Sequence, residues 1–174
     1  GFGQLKLALL NEILGRSRFA PVVFGCQAPD TGNAEILAHY GTEELKKEYL
    51  QPLLDGKVSS SYSMTEPQGG SDPTQFQCLA TEDGDHFVIN GEKWFSSSAS
   101  VADIALVMAK TDPEAPRHEQ YSTFLVELPD PGYQILRNIE TMQPHTDLGL
   151  KLGGSHSEIT IENLRVPREN LLGG

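Results

Sequence analysis

The hydrophobic period of this chain changes near residue 57. Before that point apolar residues recur at helical spacing. In "LKLALLNEIL", Leu5, Leu9 and Ile13 fall at i, i+4 and i+8, and Leu10 and Leu14 widen the stripe. A loop marked by Pro21, Gly25, Pro29 and Gly32 follows. "AEILAHYG" reads as a short helix closed by Gly41. "GTEELKKEYLQPLLDG" reads as another, with Thr42 as N-cap and Leu45, Tyr49 and Leu53 on one face; Pro52 should kink or end it. Past residue 57 no run keeps a helical period. "FQCLATEDGDHFVINGEKWFSSS" reads as three strands, with hairpin signals at Asp83-Gly84 and Asn90-Gly91. "DIALVMAKT" has the length of a buried strand, though its pattern also admits a helix, and "YSTFLVEL" adds a strand. In "SEITIENLRV", Ile159 and Ile161 alternate with Glu158, Thr160 and Glu162, so one face is wet. Helices followed by strands predict an α+β chain: a helical part over 1–56 and an all-β domain, barrel or sandwich, over 57–174.

Charge and composition narrow the function. Acidic residues outnumber basic ones 24 to 13 in 174 residues, a net charge of −11, and no Lys/Arg cluster exists, so no nucleic-acid partner is expected. An anionic ligand would have to be held by backbone N–H groups or a few local cations. No apolar run approaches the roughly 18 residues of a membrane span. Cys26 and Cys78 have neither metal-ligand spacing nor the number for a disulfide framework, which favours a reducing compartment. The histidines 39, 86, 118, 145 and 156 include no i, i+4 pair, so no metal site is expected. The opening lacks an initiator Met and a signal-peptide pattern, and the close, "ENLLGG", lacks a terminal element, as in a segment of a larger protein.

Two stretches ask for a chemical reading. "SMTEPQGGSD" (63–72) contains no core-forming run. Gly69 and Gly70 would allow positive φ and close backbone approach, and the hydroxyls of Thr65 and Ser71 could donate to an anionic or carbonyl-rich ligand. The alternative is a polar turn leading into a strand. It is not a Walker phosphate loop, because the Gly-Lys-Ser/Thr ending is absent. In "GEKWFSSSAS", one of Trp94 and Phe95 could be core while the other faces a ligand, or both could simply pack.

Together and in this order the two stretches resemble the acyl-CoA dehydrogenase family. "YSMTEPQGGSD" is similar to that family's first signature, and "FVINGEKWFSSSAS" to its Asn-Gly-x-Lys hairpin with an aromatic and small hydroxylic residues after it. "GTEELKKEYLQPLLDG" resembles the helix before the signature, and "LRVPRENLLG" the end of the β domain. "CQAPDTGNAEILAHYGTEE" looks most like the branch of family members 10 and 11. The resemblance implies the end of an N-terminal helical domain over 1–56, a barrel-like middle β domain over 57–174 and a C-terminal helical bundle outside this chain. It implies FAD as cofactor and oxidation of an acyl-CoA thioester to the trans-2-enoyl-CoA, with electron-transfer flavoprotein or a similar acceptor. A homodimer or homotetramer is implied, in the bacterial cytoplasm or in a mitochondrion or peroxisome.

Carried over by position, Tyr62, Met64, Thr65, Gly70, Ser71, Phe95, Ser96 and Ser97 would contact the flavin, and Ser71 also the acyl-CoA. Ser97 would lie near the hydride-accepting edge. Glu66, followed by Pro67 in a turn, is assigned a structural role, and the catalytic carboxylate is expected outside this chain. The sequence departs from the family's pattern at Gln75, Phe95 and Ser97, and at His156 and Ser157, which stand where Asp-Thr-Arg is frequent. The alternatives are an acyl-CoA oxidase or other oxygen-using flavoprotein of the same fold, or a non-catalytic truncated domain.

Overall fold

A computed structural model describes residues 3–17, 19–142 and 155–173. The helical part comprises α1 (Gln4–Leu14), α2 (Ala20–Val23), α3 (Asp30–Tyr40), α4 (Glu43–Leu45), a π-helical turn (Lys46–Leu50) and α5 (Gln51–Leu54). The stripe of α1 forms a helix but buries nothing: Leu5 and Ile13 are 77% and 62% exposed. The helix expected at "AEILAHYG" starts four residues earlier, at Asp30, and takes in Gly32. Gly41 ends it with φ −73, not in the left-handed region; a Cβ there would lie 2.6 Å from the Leu37 carbonyl oxygen. Thr42 caps α4 as expected, its Oγ1 accepting from the Leu45 N–H at 3.2 Å. Pro52 does not end the helical run. The preceding turn widens to π geometry, which relieves the clash between a proline ring and the carbonyl four residues back.

Eight strands follow: β1 (Ser60–Ser63), β2 (Leu79–Asp83), β3 (His86–Ser97), β4 (Ile104–Lys110), β5 (Tyr121–Glu127), β6 (Tyr133–Asn138), β7 (His156–Pro167) and β8 (Leu171–Leu172). They form one sheet in the order β6-β7-β3-β1-β4-β5-β8, with β2 also between β3 and β4. The α+β class is as expected. Barrel closure is not seen among the described residues, where β6 and β8 end the order. β1 runs antiparallel to β3 (Tyr62↔Ser97) and parallel to β4, and β2 repeats both relations further along (Ala80↔Ile89, Leu79↔Lys110). The two short strands therefore share one lane, and residues 64–78 leave the sheet between them.

β4 is a strand covered on both faces, which explains its unbroken apolar run. Ile104 and Leu106 pack with Leu37, Leu45 and Leu53 of the helices, whereas Ala105, Val107 and Ala109 join Phe87, Phe124, Ile159, Ile161 and Val166 on the other side. β7 alternates as its sequence predicts, with Ile159 and Ile161 essentially inaccessible.

The turn at Gly84 (φ +65) is present, but the one expected at Asn90-Gly91 is not: β3 runs through it unbroken. Asn90 Oδ1 accepts from the Asn163 N–H at 2.8 Å, where the β3–β7 register shifts and Asn163 takes φ +50. Gly91 has φ +152, and a Cβ on it would lie 2.7 Å from the Cys78 Cα. The Asn-Gly pair marks a bulge and a close crossing, not a reversal.

Candidate functional site

The excursion of residues 64–78 is organised by a carboxylate turned inward. Glu66 is 2% exposed; its Oε1 accepts from Lys93 Nζ (2.7 Å) and the Cys78 N–H (3.0 Å), and its Oε2 from the Gln77 N–H (2.6 Å) and Gln68 Nε2 (2.5 Å). Lys93, fully buried on β3, also donates to the Met64 carbonyl (3.1 Å) and stands 5.2 Å from the centre of the Phe76 ring. Both charges are thus paired and hydrogen-bonded, as burial demands. With four donors on its two oxygens, the Glu66 carboxylate is committed to holding this loop together. Residues 66 and 69 close a tight turn by reciprocal backbone bonds of 3.1 Å. Neither Gly69 nor Gly70 takes the positive φ expected of them. Asp72 accepts from the Thr74 N–H (3.1 Å), Thr74 Oγ1 (2.5 Å), Gln75 Nε2 (3.1 Å) and Arg117 (2.9 Å), fixing the loop exit; the Thr74 hydroxyl first and the Gln75 amide next hold its carboxyl below the usual range.

Beside this loop lies a cavity of about 500 Å³ between the sheet and the start of α3. The sheet side presents Tyr62, Met64, Thr65, Phe95 and Ser97; the helix side presents Ala28, Pro29, Gly32, Asn33 and Ile36. Five of the eight positions singled out in the sequence therefore meet in one place. Burial pushes the Tyr62 phenol up. Sequence reasoning missed the helix side and what pins it. Asn33 Nδ2 donates to Ser60 Oγ (2.8 Å) and the Ser61 carbonyl (3.0 Å), while Asp30 Oδ1 accepts from the Ser60 N–H (2.9 Å) and Oγ (2.6 Å). A first-turn Asp complements a helix N-terminus, and that was the one available signal.

Phe95 decides which hydroxyls face the cavity. The β3–β7 register shifts between Lys93 and Ser96, and Phe95 sits in the left-handed region at φ +55, a costly conformation for an aromatic residue. The extra residue brings the Trp94 and Phe95 rings to 4.9 Å, so both lie on the same side of the strand. Ser96 then turns inward: it is fully buried, and its Oγ meets Ser63 Oγ at 2.9 Å, which in turn meets the Tyr133 hydroxyl at 2.7 Å. Ser97 points into the cavity. Its Oγ lies 2.9 Å from Nδ1 of His156, directly opposite on β7, and the His156 ring meets Phe95 edge-on at 6.3 Å. Gly70 and Ser71 do not line the cavity; both are exposed on the loop beyond Thr65.

The cavity offers apolar and aromatic faces with hydroxyls at Thr65 and Ser97 and, among the described residues, no carboxylate. That donor set suits a flat heterocycle with polar edges. No group of three His, Cys, Asp or Glu among the described residues could hold a metal ion, and no described helix is long and apolar enough to cross a membrane.

The family profile described as "Acyl-CoA dehydrogenase, middle domain" matches residues 61–164. The chain is 45% identical to "Acyl-CoA dehydrogenase family member 11" of Gallus gallus, over 98% of this chain and 22% of that protein. It thus spans about a fifth of that relative's length. A solved Mycobacterium abscessus structure assigned to the acyl-CoA dehydrogenases matches with TM-score 0.86 and 39% identity, covering 95% of this chain and 40% of that one. An FAD complex of PigA matches with TM-score 0.71 and 30% identity over 81% of this chain and 35% of that one.

Proposed function

This chain belongs to the acyl-CoA dehydrogenase family, and from that premise we propose that its protein oxidises an acyl-CoA thioester to the trans-2-enoyl-CoA with FAD, passing electrons to electron-transfer flavoprotein or a similar acceptor. The observation that carries this is the single cavity into which Tyr62, Met64, Thr65, Phe95 and Ser97 converge. Bound FAD would supply hydride acceptance, the part of the reaction no side chain can perform. The residues of this chain hold and orient it. Tyr62, Met64 and Phe95 give apolar contact and exclude water. The hydroxyls of Thr65 and Ser97 bond polar ring atoms. Ser71, on the exposed loop, reaches the acyl-CoA. Among the described residues no carboxylate lines the cavity, and the base that takes the α-proton is assigned to a residue outside them. The test is FAD affinity of the full-length protein, by calorimetry, with Thr65→Val and Phe95→Ala. Loss of one hydrogen bond at Thr65 should weaken FAD by a few-fold to about tenfold, and Phe95→Ala by more. Unchanged affinity in both variants would sink the assignment of the cavity.

A further inference from the structure

Ser97 is a cavity hydroxyl whose other side is held by an imidazole, a group able to change its hydrogen-bonding character. Ser97 and His156 are opposite members of the β3–β7 ladder, and Ser97 Oγ lies 2.9 Å from His156 Nδ1. The imidazole is itself held in place: its strand is tied by the Ile139 N–H to the His156 carbonyl (2.7 Å), and its ring abuts Phe95. The residue is half-buried. The geometry points to His156 as a positioning residue that sets the polarity of the Ser97 hydroxyl toward the ligand in the cavity, and this rests on the FAD reading above.

A serine hydroxyl has one proton and two lone pairs, and a neutral imidazole has one N–H that can sit on either nitrogen. With the proton on Nε2, His156 Nδ1 accepts the Ser97 O–H, and Ser97 offers only lone pairs to the cavity. With the proton on Nδ1, His156 donates to Ser97 Oγ, and the Ser97 O–H is free to donate into the cavity. Flavin reduction adds N–H groups where the oxidised ring has bare nitrogens. A ligand-facing hydroxyl that can reverse its polarity serves both states; one fixed by an inert neighbour serves one. The reversal conserves protons: one leaves Nδ1, one arrives at Nε2 through solvent, and Ser97 keeps its own.

The experiment is the reduction potential of the flavin bound to the full-length holoenzyme, which reads the ratio of affinities for oxidised and reduced cofactor. We expect His156→Phe, which keeps the ring contact with Phe95 but has no Nδ1, to change that ratio about tenfold, about 30 mV for a two-electron couple. Ser97→Ala should shift it comparably, and the double variant no further, because both act through one hydroxyl. His156→Asn, whose amide places a polar atom near the Nδ1 position, should restore most of the wild-type value. An unchanged potential in His156→Phe, or a full additional shift on top of Ser97→Ala, overturns the proposal. If His156→Phe does not fold, ¹⁵N spectra of His156 in the unaltered holoenzyme decide: the proton should sit on different ring nitrogens in the oxidised and reduced forms, and an unchanged tautomer refutes it. If FAD does not bind at this cavity at all, the functional reading fails instead, which the Thr65 and Phe95 variants show independently.

Discussion

Replacing Lys93 by Met removes a buried ammonium from an ion pair whose members are 0% and 2% exposed. Met fills most of the volume and still packs on Phe76, so the loss is electrostatic. Glu66 keeps the N–H groups of Gln77 and Cys78 and the Gln68 amide, but its full charge is now buried without a cation. Breaking a buried pair from one side costs about 3–5 kcal/mol. The three remaining donors put this case at the lower end, about 3 kcal/mol. Adding Glu66→Gln removes the orphaned charge while one amide oxygen still accepts a backbone N–H. The double variant should therefore be more stable than Lys93→Met alone by about 1–3 kcal/mol, the penalty of leaving a buried group uncompensated. Urea unfolding followed by Trp94 fluorescence is the assay, since Trp94 is the only tryptophan of the chain and adjoins Lys93. A Lys93→Met loss below about 1 kcal/mol, or a double variant that loses the sum of the two single losses, would refute the claim that this pair clamps the loop.

Three further outcomes follow from the same structure. Gly91→Ala places a Cβ 2.7 Å from the Cys78 Cα at a φ of +152, and should cost more than about 2 kcal/mol in urea unfolding, whereas Gly69→Ala, with nothing nearer than 3.5 Å, should cost under about 1 kcal/mol. Burial, opposed by the Lys93 charge and aided by that of Glu66, pushes the Cys78 thiol up to about 11 from an ordinary 9.0. A raised folded value means stability present below pH 9 and lost as pH rises toward 11. About 3 kcal/mol should therefore fade across that window, and urea midpoints of wild type and Cys78→Ala should converge as pH rises. Ser71→Ala should weaken acyl-CoA binding by a few-fold to about tenfold while leaving FAD affinity within twofold; calorimetry with both ligands separates the two, and unchanged acyl-CoA affinity removes Ser71 from the substrate site.

The period change near residue 57 was legible because it repeats over many residues: α3 through α5 precede it and the strands follow it. β7 was legible because its alternation survives intact. β6 was not, because only Tyr133 of its six residues is buried, so an edge strand leaves no pattern. Asn90-Gly91 misled because a local turn signal was overruled by the crossing of Cys78, a tertiary fact. The same holds at the cavity. Motif positions found Tyr62, Met64, Thr65, Phe95 and Ser97, but the inward turn of Ser96 depends on the conformation of Phe95, which its identity does not disclose. Asp30 and Asn33 reach Ser60 across 30 and 27 residues, and no spacing rule connects them.

The lane that β1 and β2 share between β3 and β4 acts as a ruler for the excursion that interrupts it. Both ends of residues 64–78 are registered against the same two neighbours, Tyr62 opposite Ser97 and Leu79 opposite Asn90. The gap to be spanned is therefore set by β3, not by the loop. One residue added inside either strand would flip its inward and outward faces, sending Tyr62 or Ala80 to the wrong side. Added between Pro67 and Ser71, it would only lengthen an exposed tip. Length variation among relatives of this chain should thus be confined to that tip, which could be redesigned freely while the cavity wall stays where the sheet holds it.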